Sequence, residues 1–163
     1  MAPLIILVVV TLLARLIGQL GVVTLRDWAA ATRVGLAVMF CFTAAAHFNS
    51  MQADLIRMVP PAVPHAEFVV KFTGVCEILG AIGLLVPSTR RLAAIALILF
   101  LVAVLPANIH AALSGVTLAG APVTPLIPGV LLQLLFIALV WWSGVRAPTE
   151  VSHLATSQAN AET

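Results

Sequence analysis

The sequence predicts an all-α fold, a polytopic transmembrane helical bundle, and three observations lead to this prediction. Of the 163 residues, 62% are hydrophobic and only 9% are charged, whereas a soluble globular domain is about half apolar and about a quarter charged. The mean hydropathy is +1.16. The longest apolar runs, "LIILVVVTLL" and "LAAIALILFLVAVL", are continuous, and the strands of a membrane β-barrel would instead alternate in polarity.

Five segments of the chain have about the length that a helix needs to cross a bilayer, which is roughly 20 apolar residues. They cover residues 3–22, 28–48, 66–86, 92–113 and 126–143. The separators are "RD", the proline-bearing loop "NSMQADLIRMVPPAVPH", the tight turn "PSTRR" and the Gly/Pro loop "GVTLAGAPVTP". We therefore assign residues 1–146 to one transmembrane domain and residues 147–163 to a polar, disordered tail.

The first segment is counted as a span and not as a cleaved signal peptide. Its beginning, "MAPLIILVVV", lacks the positive residues that precede the apolar part of a signal peptide. Its one charged residue, Arg15, is near enough to the helix end for the guanidinium to reach the membrane surface.

The distribution of basic residues predicts the orientation, because Lys and Arg are enriched on the cytoplasmic side of membrane proteins. One side has five basic residues and the other side has two, Arg57 and Lys71. The five are Arg26, Arg33, Arg90, Arg91 and Arg146. We therefore expect a multi-pass protein of a bacterial-type inner (cell) membrane, with the N-terminus outside, the C-terminus in the cytoplasm and the proline-bearing loop outside.

Polar side chains of four helices are expected in the outer half of this bundle, and almost none in the inner half. Glu77 is about 10 residues into its span, near the middle of the bilayer at about 1.5 Å per residue. The other members are His47, Asn108, His110 and Gln133. Thr73, four residues before Glu77, lies on the same helix face, which small residues flank, so Glu77 is predicted to face a neighbouring helix. These six residues are the candidate ligand-binding pocket.

The sequence alone is compatible with more than one role for these residues. An intramembrane carboxyl group suggests a functional site by default, and Glu77 must be either protonated or paired. Asn108 and Gln133 are equally explained if their side chains only form hydrogen bonds that join helices. His47 is equally explained as a polar residue at the membrane boundary. Asn108 and His110 are roughly 200° apart around their helix, so they do not point at one place. Pro106 predicts a kink next to Asn108.

Several classes of site are disfavoured by the sequence. His47, Glu77 and His110 are acceptable metal ligands, but their spacing is not diagnostic, and no metal site is predicted. Cys41 and Cys76 form no CxxC pair and are expected to be packing residues. No haem, flavin or nucleotide motif is present. A net charge of +2 is too small to indicate a nucleic-acid partner.

Four stretches resemble the DoxX family of small membrane proteins: "AAHF", "MVPPAVP", "TGVCEILGAIGLLVPSTRRLAA" and "VLPANIHAAL". The resemblance covers about residues 29–142 and implies a four-helix core, with the span at 3–22 as an additional N-terminal helix. It also implies that positions which recur in the family are occupied here by His47, Glu77, Pro106 and Asn108. The turn that contains Pro87, Arg90 and Arg91 also matches a recurring feature of the family.

The resemblance implies a function only in outline. The family is named for subunits associated with a thiosulfate–quinone oxidoreductase, and most members have no established reaction. We expect a redox-associated accessory subunit that binds a quinone-like or lipid-like molecule, with the lipid bilayer, a redox protein or a second copy as partners. Whether the chain itself catalyses a reaction stays open. The alternatives are a non-catalytic scaffold or lipid-binding protein and, less favoured because no internal repeat is seen, a small proton-coupled transporter.

Overall fold

The structure, a computed structural model, describes residues 2–147 and is almost entirely helical. The predicted tail, residues 147–163, therefore lies outside the described residues except for Ala147. The six α-helices are α1 (Ala2–Gln19), α2 (Trp28–Ala45), α3 (Gln52–Met58), α4 (Ala66–Leu85), α5 (Arg90–Ser114) and α6 (Leu126–Val140). Short 3-10 helices cover Val23–Leu25 and Ala46–Phe48, and a π-helical segment, Trp141–Arg146, continues α6.

Within residues 2–147, five helices are long and apolar enough to cross a membrane, which confirms that part of the prediction. They are α1, α2 with its 3-10 extension, α4, α5, and α6 with the π-helical segment. Two predicted loops contain structure that was not expected. The proline-bearing loop includes α3, and the Gly/Pro loop includes a hairpin of β1 (Thr117–Leu118) and β2 (Ala121–Pro122), in which Thr117 pairs with Pro122.

Glycine explains where two of the helices end. Gly21 has φ +136°, and the Val22 N–H donates to Ile17 O at 3.3 Å, which is the Schellman ending of a helix. Helix α1 therefore ends at Gln19, before the predicted boundary at residue 22. Gly115 ends α5 in the same way with φ +65°.

Helix α2 lies at the centre of the bundle. It packs against α1 on one side and against α4 on the other, and α5 and α6 follow in that order. The π-helical segment returns to contact both α5 and α2. The buried apolar cluster is Leu7, Leu36, Ala37, Met39, Phe40, Ala81, Leu84, Ala94, Leu97, Leu101 and Val140.

Small residues allow the helices to approach closely at several crossings. A Cβ on Gly35 would lie 2.2 Å from Thr11 Oγ1 and 2.9 Å from Leu7 O, so α1 rests directly on the backbone of α2. A Cβ on Gly80 would lie 2.4 Å from Leu97 Cδ2, which places α5 against α4. Close backbone approach at small residues is the usual means of helix association in lipid.

The two ends of the bundle differ in charge. We call the end formed by residues 15–33, 86–91 and 141–147 the arginine-rich end, and the opposite end, with α3 and the hairpin, the loop end. Arg33 and Arg90 are each only 9% exposed at the arginine-rich end. The Arg33 Nη1 group donates to Ser143 O at 2.7 Å, in the π-helical segment where regular i→i+4 bonding is interrupted.

These buried polar groups were not expected, because Arg33 and Arg90 were interpreted only as charges that set the orientation. Long side chains that begin near a helix end can fold into the bundle, and the π-helical segment offers a backbone carbonyl there. The expectation that this half of the bundle contains almost no polar side chains is therefore wrong.

Replacement of Gly35 by alanine should destabilise the bundle. The added methyl group would overlap Thr11 and the Leu7 carbonyl, and overpacking of this kind typically costs about 1–3 kcal/mol. The measurement is the free energy of unfolding in detergent. Gly129→Ala in α6 is the matched control, because the nearest atom to its new Cβ is 3.7 Å away. Equal stability of the two variants would contradict the α1–α2 contact described above.

Candidate functional site

Glu77 lies between α4 and α2, and it is only 7% exposed. Its Oε2 atom is 3.1 Å from Thr43 Oγ1 and 3.9 Å from His47 Nδ1. Within residues 2–147, no lysine or arginine lies within ion-pair distance of this carboxyl group. A buried charge is costly unless it is paired, so the hydroxyl and the imidazole are the groups that determine how Glu77 is accommodated.

The sequence brings His47 close to α4 through a glycine. A Cβ on Gly74 would lie 2.6 Å from His47 Cβ and 2.9 Å from Phe48 Cε2, so only glycine leaves room for the imidazole at this crossing. Thr43 and His47 are one turn apart on α2 and its 3-10 extension, and Gly74 and Glu77 are about one turn apart on α4. The close approach at Gly74 and the polar contacts of Glu77 therefore lie about one turn apart along the same crossing.

The hydrogen-bonding capacity of Thr43 allows Glu77 to be either charged or neutral. Its hydroxyl has a single proton, and its oxygen lies 3.1 Å from Phe40 O and 3.2 Å from Met39 O in addition to Glu77. When Glu77 is ionised, the Thr43 proton is donated to it. When Glu77 is protonated, Glu77 donates to Thr43, and Thr43 donates to the backbone of its own helix. The site can therefore gain or release one proton without a rearrangement of the helices.

His47 is held by its own helix. Its Nδ1 atom is 3.3 Å from Thr43 O, and a carbonyl can only accept, so this contact requires the proton on Nδ1. In the neutral ring, Nε2 is then the atom that accepts a hydrogen bond from another group. The same Nδ1 atom is the part of the ring that lies 3.9 Å from Glu77 Oε2.

Asn108 and Gln133 form a second polar cluster, between α5 and α6. Asn108 Nδ2 donates to Gln133 Oε1 at 3.0 Å, and Gln133 Nε2 donates to Leu101 O. Gln133 is 7% exposed, and both ends of its amide are used. Pro106 lies within α5 and has no N–H for the carbonyl one turn earlier, so Gln133 binds α5 next to the turn that Pro106 disrupts.

The remaining two candidates bind elsewhere. His110 Nδ1 is 3.2 Å from Met58 O at the end of α3, and this contact attaches the loop between α2 and α4 to α5. Thr73 Oγ1 donates to Val70 O at 2.8 Å within α4. The structure thus places Glu77 and His47 together, Asn108 and Gln133 together, and His110 and Thr73 in separate contacts.

Thr43 is the residue of the site that the sequence analysis did not include among its candidates. Its position four residues before His47 was visible, because residues at this spacing share a helix face. What the sequence did not contain was the rotation of α2 that turns this face towards Glu77. Within residues 2–147 no group of three or more His, Cys, Asp or Glu side chains is arranged to bind a metal.

Comparison with known protein families gives a match over most of the chain. The model of a family described as a domain of unknown function, DUF8561, matches residues 36–144. The chain therefore belongs to this family. The matched region begins within α2, ends in the π-helical segment and includes both polar clusters. Comparisons with curated proteins and with solved structures gave no match.

The Asn108–Gln133 pair should contribute to stability as a unit. Alanine at either position removes the same interhelical hydrogen bond, so the effects of the two substitutions should not be additive. The expected coupling in a double-mutant cycle is about 0.5–2 kcal/mol in the free energy of unfolding in detergent. Strict additivity would show that the two side chains do not interact.

Proposed function

We propose that the chain is an integral membrane protein that acts as a redox-associated accessory subunit and holds a quinone-like or lipid-like ligand beside Glu77. The observation that carries the proposal is the buried Glu77–Thr43–His47 cluster. An ionisable group inside an apolar bundle is costly and is retained mainly where it has a function. Exposed apolar side chains such as Leu99 (65% exposed) and Ile127 (73% exposed) support the location in lipid.

The chemistry of the cluster suits a ligand that takes up protons. A quinone carbonyl accepts a hydrogen bond from a carboxylic acid, and it takes up a proton when electrons arrive. In the proposal, Glu77 donates that proton and Thr43 accommodates the resulting carboxylate. The electrons come from a redox protein partner, and His47 connects the site with the loop end, from which Glu77 is protonated again.

The proposal includes a topology and a core. The arginine-rich end would face the cytoplasm and the loop end the outside of a bacterial-type cell membrane, because the basic residues collect at the former. Helices α2, α4, α5 and α6 would form the core, with α1 as an addition. Two findings support this: the family match begins after α1, and Leu7 is the single α1 residue in the buried apolar cluster of the described chain. The likeness to the DoxX family is proposed on the sequence motifs alone.

A non-catalytic scaffold or lipid-binding protein is the second candidate. It is favoured by the Asn108–Gln133 pair, in which the two amides bind one another and the backbone. Side chains used in this way hold helices together and contribute no proton to a ligand.

Glu77→Gln should leave the fold intact and weaken quinone retention. The amide is similar in size and can still pair with Thr43, but it has no acidic proton to share. We expect the amount of quinone extracted from gently purified protein to fall by about tenfold, which corresponds to about 1.4 kcal/mol. The measurement is organic extraction followed by mass spectrometry, with the thermal unfolding midpoint recorded for each sample.

Glu67→Gln is the matched control for this experiment. Glu67 lies on the same helix, but it is exposed and pairs with Lys71 at 2.7 Å, so its replacement should not change quinone retention. Full retention by the Glu77 variant would show that the carboxyl group is structural. If every extract contained a phospholipid and no quinone, the result would favour the lipid-binding alternative.

The proposed topology predicts which end is labelled from outside the cell. In a variant with Cys41 and Cys76 replaced by alanine, Ala62→Cys should react with a membrane-impermeant maleimide on intact cells, and Ser88→Cys should react only after lysis. Both positions are exposed, so a difference in labelling reports the side of the membrane. The reverse pattern would contradict the proposed orientation.

A further inference from the structure

An apolar groove lies on the opposite side of α2 from the Glu77 cluster, between α1 and α6. Its volume is about 560 Å³, within the range of about 300–1,000 Å³ that is usual for ligand sites. The walls are formed by Leu4, Val8 and Leu12 of α1 and by Leu135 and Leu139 of α6. Trp28 and Trp142 line it near the arginine-rich end.

Cationic groups lie at that end of the groove. The Arg15 guanidinium carbon is 4.6 Å from the centroid of the Trp28 ring, and Arg15 Nη1 donates to Arg26 O. Arg15 Nε is buried and has no partner within residues 2–147. Neither Arg15 nor Arg26 forms an ion pair with any described residue.

The neighbouring acid does not neutralise these cations by direct contact. Asp27 uses its carboxylate to accept the Ala30 N–H at 2.9 Å, which caps the beginning of α2. The groove therefore has a long apolar part and a cationic mouth with two indole rings, and indoles are enriched where a membrane meets water.

We propose that this groove binds an anionic phospholipid, with one acyl chain between α1 and α6 and the phosphate beside Arg15. Charge complementarity selects this occupant. A ligand with only an acyl chain would leave the Arg15 guanidinium without an ion-pair partner, and a small free anion would leave the apolar part of the groove unfilled. The guanidinium fork matches phosphate oxygens. The inference does not depend on the Glu77 site, and it holds for either orientation in the membrane.

Native mass spectrometry of the full chain in a neutral detergent tests the proposal, with phosphatidylglycerol and phosphatidylcholine of identical acyl chains as probes. Phosphatidylglycerol should bind more tightly. Arg15→Gln should weaken its binding by about fivefold, since one Arg near an anionic lipid surface contributes about that factor, and should weaken the binding of phosphatidylcholine less, because the choline cation already compensates the phosphate charge of that lipid. Arg91→Gln is the matched control, because Arg91 is exposed at the same end on α5, away from the groove.

A second pair of variants tests the acyl part independently of charge. Leu12→Trp fills the groove from an exposed position and should weaken the binding of both lipids. Leu13→Trp, at a similarly exposed neighbouring position (54% and 52%), should have no effect. Equal binding of the two lipids by the unmodified chain, or equal losses from Arg91→Gln and Arg15→Gln, would overturn the proposal. The proposal would also be overturned if Leu12→Trp dissociated a dimer and left lipid binding unchanged, because a second copy of the chain would then occupy the groove.

Discussion

The arrangement of the bundle depends on how one buried carboxyl group is accommodated. Glu77 has no lysine or arginine beside it within the described chain, and the groups that approach it are the Thr43 hydroxyl and the His47 ring. This requires α2 and α4 to meet with a particular rotation and at short distance. Gly74 permits the distance, since any larger residue would displace His47.

A second constraint lies at the other end of the bundle and concerns the backbone. The π-helical segment interrupts the regular hydrogen bonding of α6, and Arg33 reaches from α2 to Ser143 O. Ser143 Oγ also donates to Leu139 O at 2.7 Å. Because a buried carbonyl without a donor is costly, the arginine stabilises an irregular helix end that would otherwise require water. Helix α2 is thus connected by polar contacts to α4 at one end and to α6 at the other.

The two polar clusters of the loop-end half have different chemical properties. Gln133 and Asn108 are neutral amides that satisfy each other, so they can hold α5 and α6 together without exchanging protons. Glu77 and His47 are titratable, and Thr43 can reverse the direction of its hydrogen bond. This difference is the reason that the proposed proton chemistry is assigned to the α2–α4 cluster, although sequence position alone placed all of these residues in the outer half of the bundle.

The sequence by itself determined the helical class, the five long apolar helices and most of their boundaries, because these follow from local composition, glycine and proline. It also singled out Glu77, since a carboxyl group in an apolar run is visible without a structure. The tertiary structure decided which polar side chains meet: Thr43 reaches Glu77, His110 binds Met58 O, and Arg33 is buried. Side-chain contacts between helices depend on rotation and crossing distance, which are set by packing among distant residues such as Gly35 with Thr11 and Gly74 with His47. No local pattern in the sequence contains that information.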